Sequence, residues 1–542
     1  MAAENRPLLP KNAPFGTTDA IESLTSSPKN VDEWKPSKRL RWVQIATWAN
    51  IFLSGFDTTI ALSTYAVIGS EFDAANQVSW ISTAYLITAT AFQPLYGSFS
   101  DILGRRDCFV ASISLFLSGT TLCGLASSMW MLNIGRGMAG IGGGGLFTMA
   151  TIILSDMVPF HKRGFYQAAN NTVYGFGTAC GASIGGLLAS KLGWRFGFLF
   201  QIPICLFGIV IGYVLIPQNN SKLFPEQARS ERVDNRERLK RLDILGAGNL
   251  IIGLAMLLAA LNMGGNVVPW NSIRVIGFFV ASTIFLCSFL LVETNMAQYP
   301  IIPMRMLRGR VAVVSIFLNV FAGMAVYSYM FLIPLFFQAV LLESPANVGV
   351  RLILPSIMFP IGGFVSGWIM SRWNLLAHLV RTGTVIVAAG CALAMIFNEK
   401  TSYWEYFACL LPVNFGQGLV YPSSLFLMLA GFTQKDQAIA TSTVYLFRNV
   451  GSVMGVAIGS AIVQNALLKK LSASLADVPD AEKIIHAVRH SVEAICDISL
   501  EYRSVVITCY LDSLRYGFAA CTFFAALAFL SSFFGKNSIQ NR

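Results

Sequence analysis

Charge is scarce in this chain. Asp, Glu, Lys and Arg together make up 12% of its 542 residues, about half the share of an ordinary soluble domain. Metal-binding chemistry is thin too: there are four histidines, and none of the ten cysteines sits in a CxxC pair. Seven cysteines (Cys123, Cys180, Cys205, Cys287, Cys391, Cys409 and Cys521) fall inside apolar stretches. Neither a zinc site nor a disulfide framework is implied. Cys496 and Cys509 share one late polar connection, where a disulfide and two free thiols both remain open. No phosphate loop, metal cluster or nucleophile arrangement is present, which argues against an enzyme and against any cofactor or bound metal. A cleavable signal peptide is not expected either. The first 40 residues are polar, and the first apolar block is too long for such a leader.

What remains is apolar. Hydrophobic residues make up 54% of the chain, and the mean hydropathy is +0.59. They come in blocks of about 20 or more, each able to cross ~30 Å of hydrocarbon at 1.5 Å per residue. The fold class is therefore an all-α polytopic membrane protein. Fourteen spans are expected, at 43–69, 77–97, 107–127, 131–154, 166–189, 196–216, 244–263, 272–293, 311–340, 348–370, 378–397, 405–430, 441–463 and 514–534. Around them lie a disordered tail at 1–42, a charged linker at 217–243, a long connection at 464–513 and a short tail at 535–542. The linker carries the i,i+4 pair Glu237–Arg241, which supports a short helix. In the long connection, the stretch from Pro479 to Ile495 has helical periodicity.

The formal charge of +11 does not point to nucleic acid. Its basic residues sit in alternate connections: Arg105 and Arg106; Lys162 and Arg163; the run from Arg229 to Arg241; Arg305, Arg308 and Arg310; Arg372; Lys435. The first two odd-numbered connections have no Lys or Arg. Positive residues favour the cytosolic side, so both termini and the even connections are expected there.

Asp57 stands near the centre of the first span, in an otherwise uncharged stretch. It lies about 21 Å along its helix from the cytosolic end. A carboxylate at bilayer depth costs roughly 3 kcal/mol even on lenient scales, and such residues tend to face a cavity, pair with a cation or carry protons. The competing reading is a structural pair that holds two helices together.

The second span ends in Gly97-Ser-Phe-Ser-Asp101-Ile-Leu-Gly104-Arg105-Arg106. As it stands, this matches the motif between spans 2 and 3 of major facilitator superfamily transporters, where it acts as a conformational latch. Arg136-Gly137-Met-Ala-Gly140-Ile-Gly142 in the fourth span resembles that family's buried arginine, which is linked to coupling in proton-driven members. The alternative is that Arg136 snorkels toward the non-cytosolic face. Gly177, Gly181, Gly185 and Gly186 in the fifth span resemble the family's antiporter motif, with Ala182 in place of its usual proline. The segments Trp194 to Pro203, Leu242 to Gly246 and Phe447 to Gly451 also agree with the family's fourteen-span drug:H+ antiporter branch. That resemblance covers about residues 43–534. It implies two six-helix bundles, at 43–216 and 294–534, with spans 7 and 8 inserted at 244–293. Within the branch the chain is most similar to fungal vacuolar basic amino acid transporters.

The expected function is therefore proton-coupled antiport of Lys, Arg and His from the cytosol into the vacuole. The rivals are a multidrug or organic-cation exporter in the plasma membrane and a nutrient sensor that binds without transporting. In the antiport mechanism a proton and a cationic substrate compete for Asp57. Arg136 is its alternate partner, although helix rise places the two about 10 Å apart along the membrane normal. Mid-depth polar and aromatic residues are candidates for binding substrate: Asn50, Gln93, Tyr174, Asn319, Tyr327, Asn414, Gln417 and Tyr421. Aromatic faces can hold an ammonium or guanidinium group. Arg351 and Arg448 are placed near span ends, in structural roles. Glu4, with Leu8 and Leu9 behind it, resembles a dileucine signal read by a clathrin adaptor. The expected partners are the bilayer, protons and a small cation, and the expected state is a monomer.

Overall fold

Apolar runs of twenty residues or more leave the backbone one economical way to satisfy its own N–H and C=O groups, which is to form helices. The computed structural model describes residues 36–72, 79–216, 243–264, 268–297, 300–343, 345–373, 375–398, 401, 403–433, 436–475, 481–490, 495 and 498–534. Among them the named elements are all helical. In chain order they are α1 Lys38–Glu71, α2 Ser79–Leu103, α3 Arg105–Gly124, α4 Met129–Met157, α5 Phe160–Lys191, α6 Trp194–Leu199 and α7 Gln201–Leu215. Then come α8 Ile244–Met263, α9 Ile273–Asn295, α10 Arg305–Arg308, α11 Arg310–Ala339, α12 Pro345–Trp373 and α13 Leu376–Leu393. The last four are α14 Tyr403–Leu429, α15 Gln437–Ser474, α16 Ala481–His490 and α17 Leu500–Phe533.

The helix ends have local causes. Gly104 takes φ 106°, ψ 152° between α2 and α3, a backbone region open essentially to glycine. Ser128 caps α4 by accepting from Met131 N (3.3 Å), and Asp243 caps α8 by accepting from Gly246 N (2.8 Å). The expected sixth span is two helices, α6 and α7. Pro203 has no N–H to return to residue 199, and the break falls at Phe200.

Among the described residues, ten helices are long and apolar enough to cross a membrane. Helices α1, α2, α5 and α14 occupy the other four expected positions with 34, 25, 32 and 27 residues. The late connection is shorter than expected, because α15 runs on to Ser474 and α17 begins at Leu500. Helix α16 lies between them, with its Val488 carbonyl accepting from the Tyr510 hydroxyl at 2.9 Å. Residues 1–35 and 217–242, with Glu4, Leu8, Leu9 and the Glu237–Arg241 pair, are outside the described residues, as is Cys496.

Helices α1–α7 pack on one another around Phe109, Phe116 and Leu146. Helices α11–α17 pack around Tyr329, Phe336 and Phe518. The pair α8 and α9 is joined by Ser282 Oγ donating to Gly253 O at 2.9 Å, and α8 also rests on α2 and α15. On α9, Ile273, Ile276, Val280, Ile284 and Leu291 are exposed, as a lipid-facing helix requires.

The two groups meet along α2–α15 and α5–α12. A methyl on Gly97 would overlap Ser442 Oγ and Ala438 O, and one on Gly367 would press on Gly164 O. Small residues there let the backbones touch. Arg163 Nη1 donates to Gln437 Oε1 across the same seam at 2.6 Å. Gly97, Gly164, Arg163 and Gln437 all lie at the basic end of the bundle, so the two groups touch there. At the opposite end Glu71 accepts from the Trp194 indole (2.5 Å) and from Arg195 (2.7 Å). These two hydrogen bonds hold the Glu71 carboxyl below its ordinary value.

Candidate functional site

Helix α1 carries Asp57 into the interior of the first bundle, where it is fully buried. A lone carboxylate there would be prohibitive, but Arg136 of α4 meets it. Arg136 Nη1 lies 2.9 Å from Asp57 Oδ1 and 2.7 Å from Oδ2. Its Nε donates to the Ile81 carbonyl at 2.9 Å, and its guanidinium lies 4.5 Å from the centre of the Tyr85 ring. From α7, Gln201 Nε2 reaches Asp57 Oδ1 at 3.4 Å, a long bond. Four helices thus converge on one neutral ion pair, closed off from solvent.

This corrects two expectations. Arg136 does not snorkel outward; it is 1% exposed and bound inward. The rise-based offset of about 10 Å does not keep the pair apart either. An arginine and an aspartate side chain pointing toward each other bridge an axial gap that backbone arithmetic treats as empty.

The Gly97–Arg106 motif forms a second charged cluster, at the basic end. Arg105 binds Asp101 (Nη1–Oδ1 2.6 Å), Asp156 at the end of α4 (Nε–Oδ2 2.7 Å) and Ser100 Oγ (2.6 Å). Arg106 turns outward, its guanidinium 4.7 Å from the Tyr213 ring centre. On the second bundle, Asp436 at the start of α15 pairs with Arg305 at 2.7 Å.

In α5 the antiporter-like glycines serve close approach. A methyl on Gly177 would overlap the Phe52 carbonyl, and one on Gly181 the Phe56 carbonyl; Gly185 is buried, and Gly186 follows on the same helix. Gly55 reciprocates from α1 against the Tyr174 carbonyl. These residues set the distance between α1 and α5, and so the seat of Asp57.

The binding candidates fall into three groups. Gln93 bridges the bundles, donating to Thr148 Oγ1 (3.0 Å) and accepting from Asn449 Nδ2 (2.6 Å). Tyr174 packs edge-on against Phe147 (5.7 Å), which in turn meets Tyr445 of α15 (5.4 Å). On the other side of the seam, Tyr327 of α11 packs against the buried cluster that holds Tyr421 of α14. The second group lies in the second bundle. Asn319 Oδ1 accepts from Arg448 Nε (3.0 Å), Arg448 Nη2 (2.8 Å) and Ser424 Oγ (3.1 Å). Gln417 and Tyr421, one helical turn apart on α14, line a small cavity with Ala322, Val326 and Thr384. The third group is Asn50 of α1 and Asn414 of α14. Asn50 is fully buried beside Gly208 of α7, with neither side-chain atom paired. Asn414 donates to the Leu410 carbonyl of its own helix at 3.2 Å.

Arg448 had been placed near a span end, and the structure moves it. It is the twelfth residue of α15, buried, with its guanidinium 4.1 Å from the Tyr421 ring centre. The geometric reason is that α15 begins at Gln437 and runs 38 residues, so position 448 is well inside the bundle. Arg351 does pair structurally, with Glu343. Gln201, Tyr445 and the Arg163–Gln437 contact were not among the sequence candidates. Gln201 could have been found, since it is a polar residue inside an apolar run. The other two depend on which helices touch.

The model of the Major Facilitator Superfamily matches residues 47–456. Among curated proteins, a vacuolar basic amino acid transporter of Saccharomyces cerevisiae is 39% identical over 83% of this chain and 96% of its own length. A multidrug resistance protein of Schizosaccharomyces pombe is 35% identical over 90% of this chain and 91% of its own. Among solved structures, the human organic anion transporter MFSD10 aligns with TM-score 0.58 at 14% identity, covering 92% of this chain and 100% of that one.

Proposed function

The chain belongs to the major facilitator superfamily and is a multi-pass membrane transporter, not an enzyme; on that premise we propose that it is a proton-coupled antiporter carrying basic amino acids from the cytosol into the vacuole. The observation that carries this reading is the sealed Asp57–Arg136 pair. A buried ion pair is poor value as a structural device, because desolvation offsets its attraction. It makes better sense where the partners exchange. A proton from the acidic lumen neutralises Asp57 and releases Arg136 from it, leaving the guanidinium held by the Ile81 carbonyl and the Tyr85 ring. Loss of that proton toward the cytosol restores a carboxylate that attracts a cation. Proton and substrate then alternate on one group, which is exchange. The named activity of the Saccharomyces cerevisiae relative supports the substrate class and the vacuolar address.

The two bundles rock about this centre, with α8 and α9 as an inserted pair. Arg105 latches the cytosolic end through Asp101 and Asp156. The N-terminal Glu4, Leu8 and Leu9 supply the adaptor signal, and the protein acts as a monomer. The Schizosaccharomyces pombe relative favours one second reading, organic-cation efflux at the plasma membrane, which Asp57 would serve equally well.

Uptake of labelled lysine, arginine and histidine into proteoliposomes with an acid interior tests the proposal. Gradient-driven uptake by the wild type, abolished in Asp57→Asn, is the expected result. Uptake unchanged by the substitution removes Asp57 from coupling. Ethidium transport without amino acid transport, together with surface location of a tagged chain, selects the efflux reading.

A further inference from the structure

We propose that Arg448 is the seat for the carboxylate of the transported amino acid, at the seam between the two bundles. This rests on the reading above and adds to it the half of the substrate that Asp57 cannot recognise. Asp57 selects for positive charge; an amino acid also brings a negative group, and the cation that would meet it is Arg448.

The pairing pattern points there first. Arg105, Arg136, Arg195, Arg305, Arg351 and Arg515 each hold a carboxylate partner. Arg448 is buried at bilayer depth and has none among the described residues. A cation in that position is expensive, and a site that keeps one has a use for it. Neutral groups support it instead. Nε and Nη2 are taken up by Asn319 Oδ1, the Tyr421 carbonyl (3.2 Å) and Ser424 Oγ (3.3 Å). Two tyrosine faces, Tyr421 at 4.1 Å and Tyr445 at 5.4 Å, complete the cradle. Asn319 is itself anchored, its Nδ2 donating to the Ser315 carbonyl at 2.8 Å. The guanidinium is thus held rigid through one edge. Nη1, with its two N–H groups, donates to none of the described residues.

Position agrees. Tyr445, Arg448 and Asn449 follow i, i+3, i+4 on α15 and share one helix face. Tyr445 touches Thr151 of α4 (3.1 Å), and Asn449 donates to Gln93 of α2. That face is therefore the one turned to the other bundle. Arg448 keeps 8% of its surface accessible, against 1% for Arg136 in its sealed pair. Tyr421, which stacks on the guanidinium, lines a small cavity together with Gln417, one turn away along α14, and their two side-chain oxygens are buried there. A zwitterionic head group brings a carboxylate to the free edge of Arg448 and an ammonium donor to the oxygens of that cavity. An organic cation without a carboxylate has nothing to offer Arg448.

The test is binding rather than flux, so that it is independent of proton coupling. Purified full-length protein in nanodiscs is titrated with lysine and with lysinamide, at a pH where both amines of each are charged, and read by ligand-induced thermal shift. Wild type is expected to bind lysine about tenfold to a hundredfold more tightly than lysinamide, the range for losing a hydrogen-bonded charge contact. Arg448→Gln should bring the two ligands to near equality, and Arg448→Lys should keep part of the preference. Equal binding of lysine and lysinamide by wild type overturns the assignment, needs no variant, and leaves basic amino acid transport standing. Discrimination retained in Arg448→Gln also overturns it. Binding of neither ligand, with ethidium binding intact, overturns the assignment and the amino acid reading together.

Discussion

Removing one partner of the Asp57–Arg136 pair is the perturbation whose consequence follows most directly from the geometry. Both side chains are sealed, at 0% and 1% exposure, so solvent screening does not dilute the effect. In Asp57→Ala the guanidinium retains the Ile81 carbonyl and the Tyr85 and Phe198 rings but no counter-ion, and a buried charge so stripped costs about 3–5 kcal/mol. Arg136→Leu leaves a buried carboxylate whose remaining partner is the 3.4 Å contact from Gln201, and a cost of the same order follows. The double variant removes both charges. It is expected to be more stable than either single variant by about 2 kcal/mol, giving a large coupling energy of the kind a double-mutant cycle isolates. Unfolding in mixed micelles, titrated with SDS and followed by tryptophan fluorescence, measures all four corners of the cycle. Additive losses in the double variant would refute the idea that the two groups neutralise each other. Two single variants both within ~0.5 kcal/mol of wild type would refute their burial.

Three further outcomes follow from other parts of the molecule. Gly104→Ala places a side chain in a glycine-only backbone region and should cost about 1–3 kcal/mol in the same assay, with loss of uptake through the displaced latch. Arg163→Ala should loosen the basic end of the seam. A cysteine introduced by Ser442→Cys, protected by Gly97 in the parent, should then react faster with a thiol reagent from that side, and unchanged labelling would argue against Arg163–Gln437 as a closure. Because the folded-state pKa of Glu71 is depressed by Trp194 and Arg195, its contribution is fully present above the ordinary carboxylate range and is lost as pH falls through the depressed value. The melting difference between wild type and Glu71→Gln should therefore hold steady from neutral pH to the mildly acidic range and vanish only below the usual carboxylate pKa; a difference that disappears near pH 6 would contradict this.

Much of the fold was legible because hydrophobic length is a local property. Spans 7 and 9, expected at 244–263 and 311–340, match α8 and α11 within a residue. Asp57 stood out by the same logic, as a charge where the bilayer allows few. The errors have a common form. Arg136 and Arg448 were judged by distance along a helix from an estimated membrane edge, which ignores side-chain reach and the overrun of helices past that edge. The overlong late connection arose because Ser474 and Leu500 mark ends of helices that carry polar residues beyond the apolar run.

By itself the sequence determined the helical membrane class, the position of most spans and the family, and it singled out Asp57 as a charge at bilayer depth. These follow from composition, periodicity and motifs, all of which are read along the chain. Tertiary structure alone decided who faces whom. It placed Arg136 on Asp57, brought Gln201 to the same carboxylate, and set Arg448 among Asn319, Ser424 and two tyrosines, with no acid beside it among the described residues. Such pairings depend on helix rotation, side-chain reach and the contact of backbones at small residues, and they join positions separated by up to hundreds of residues in the chain.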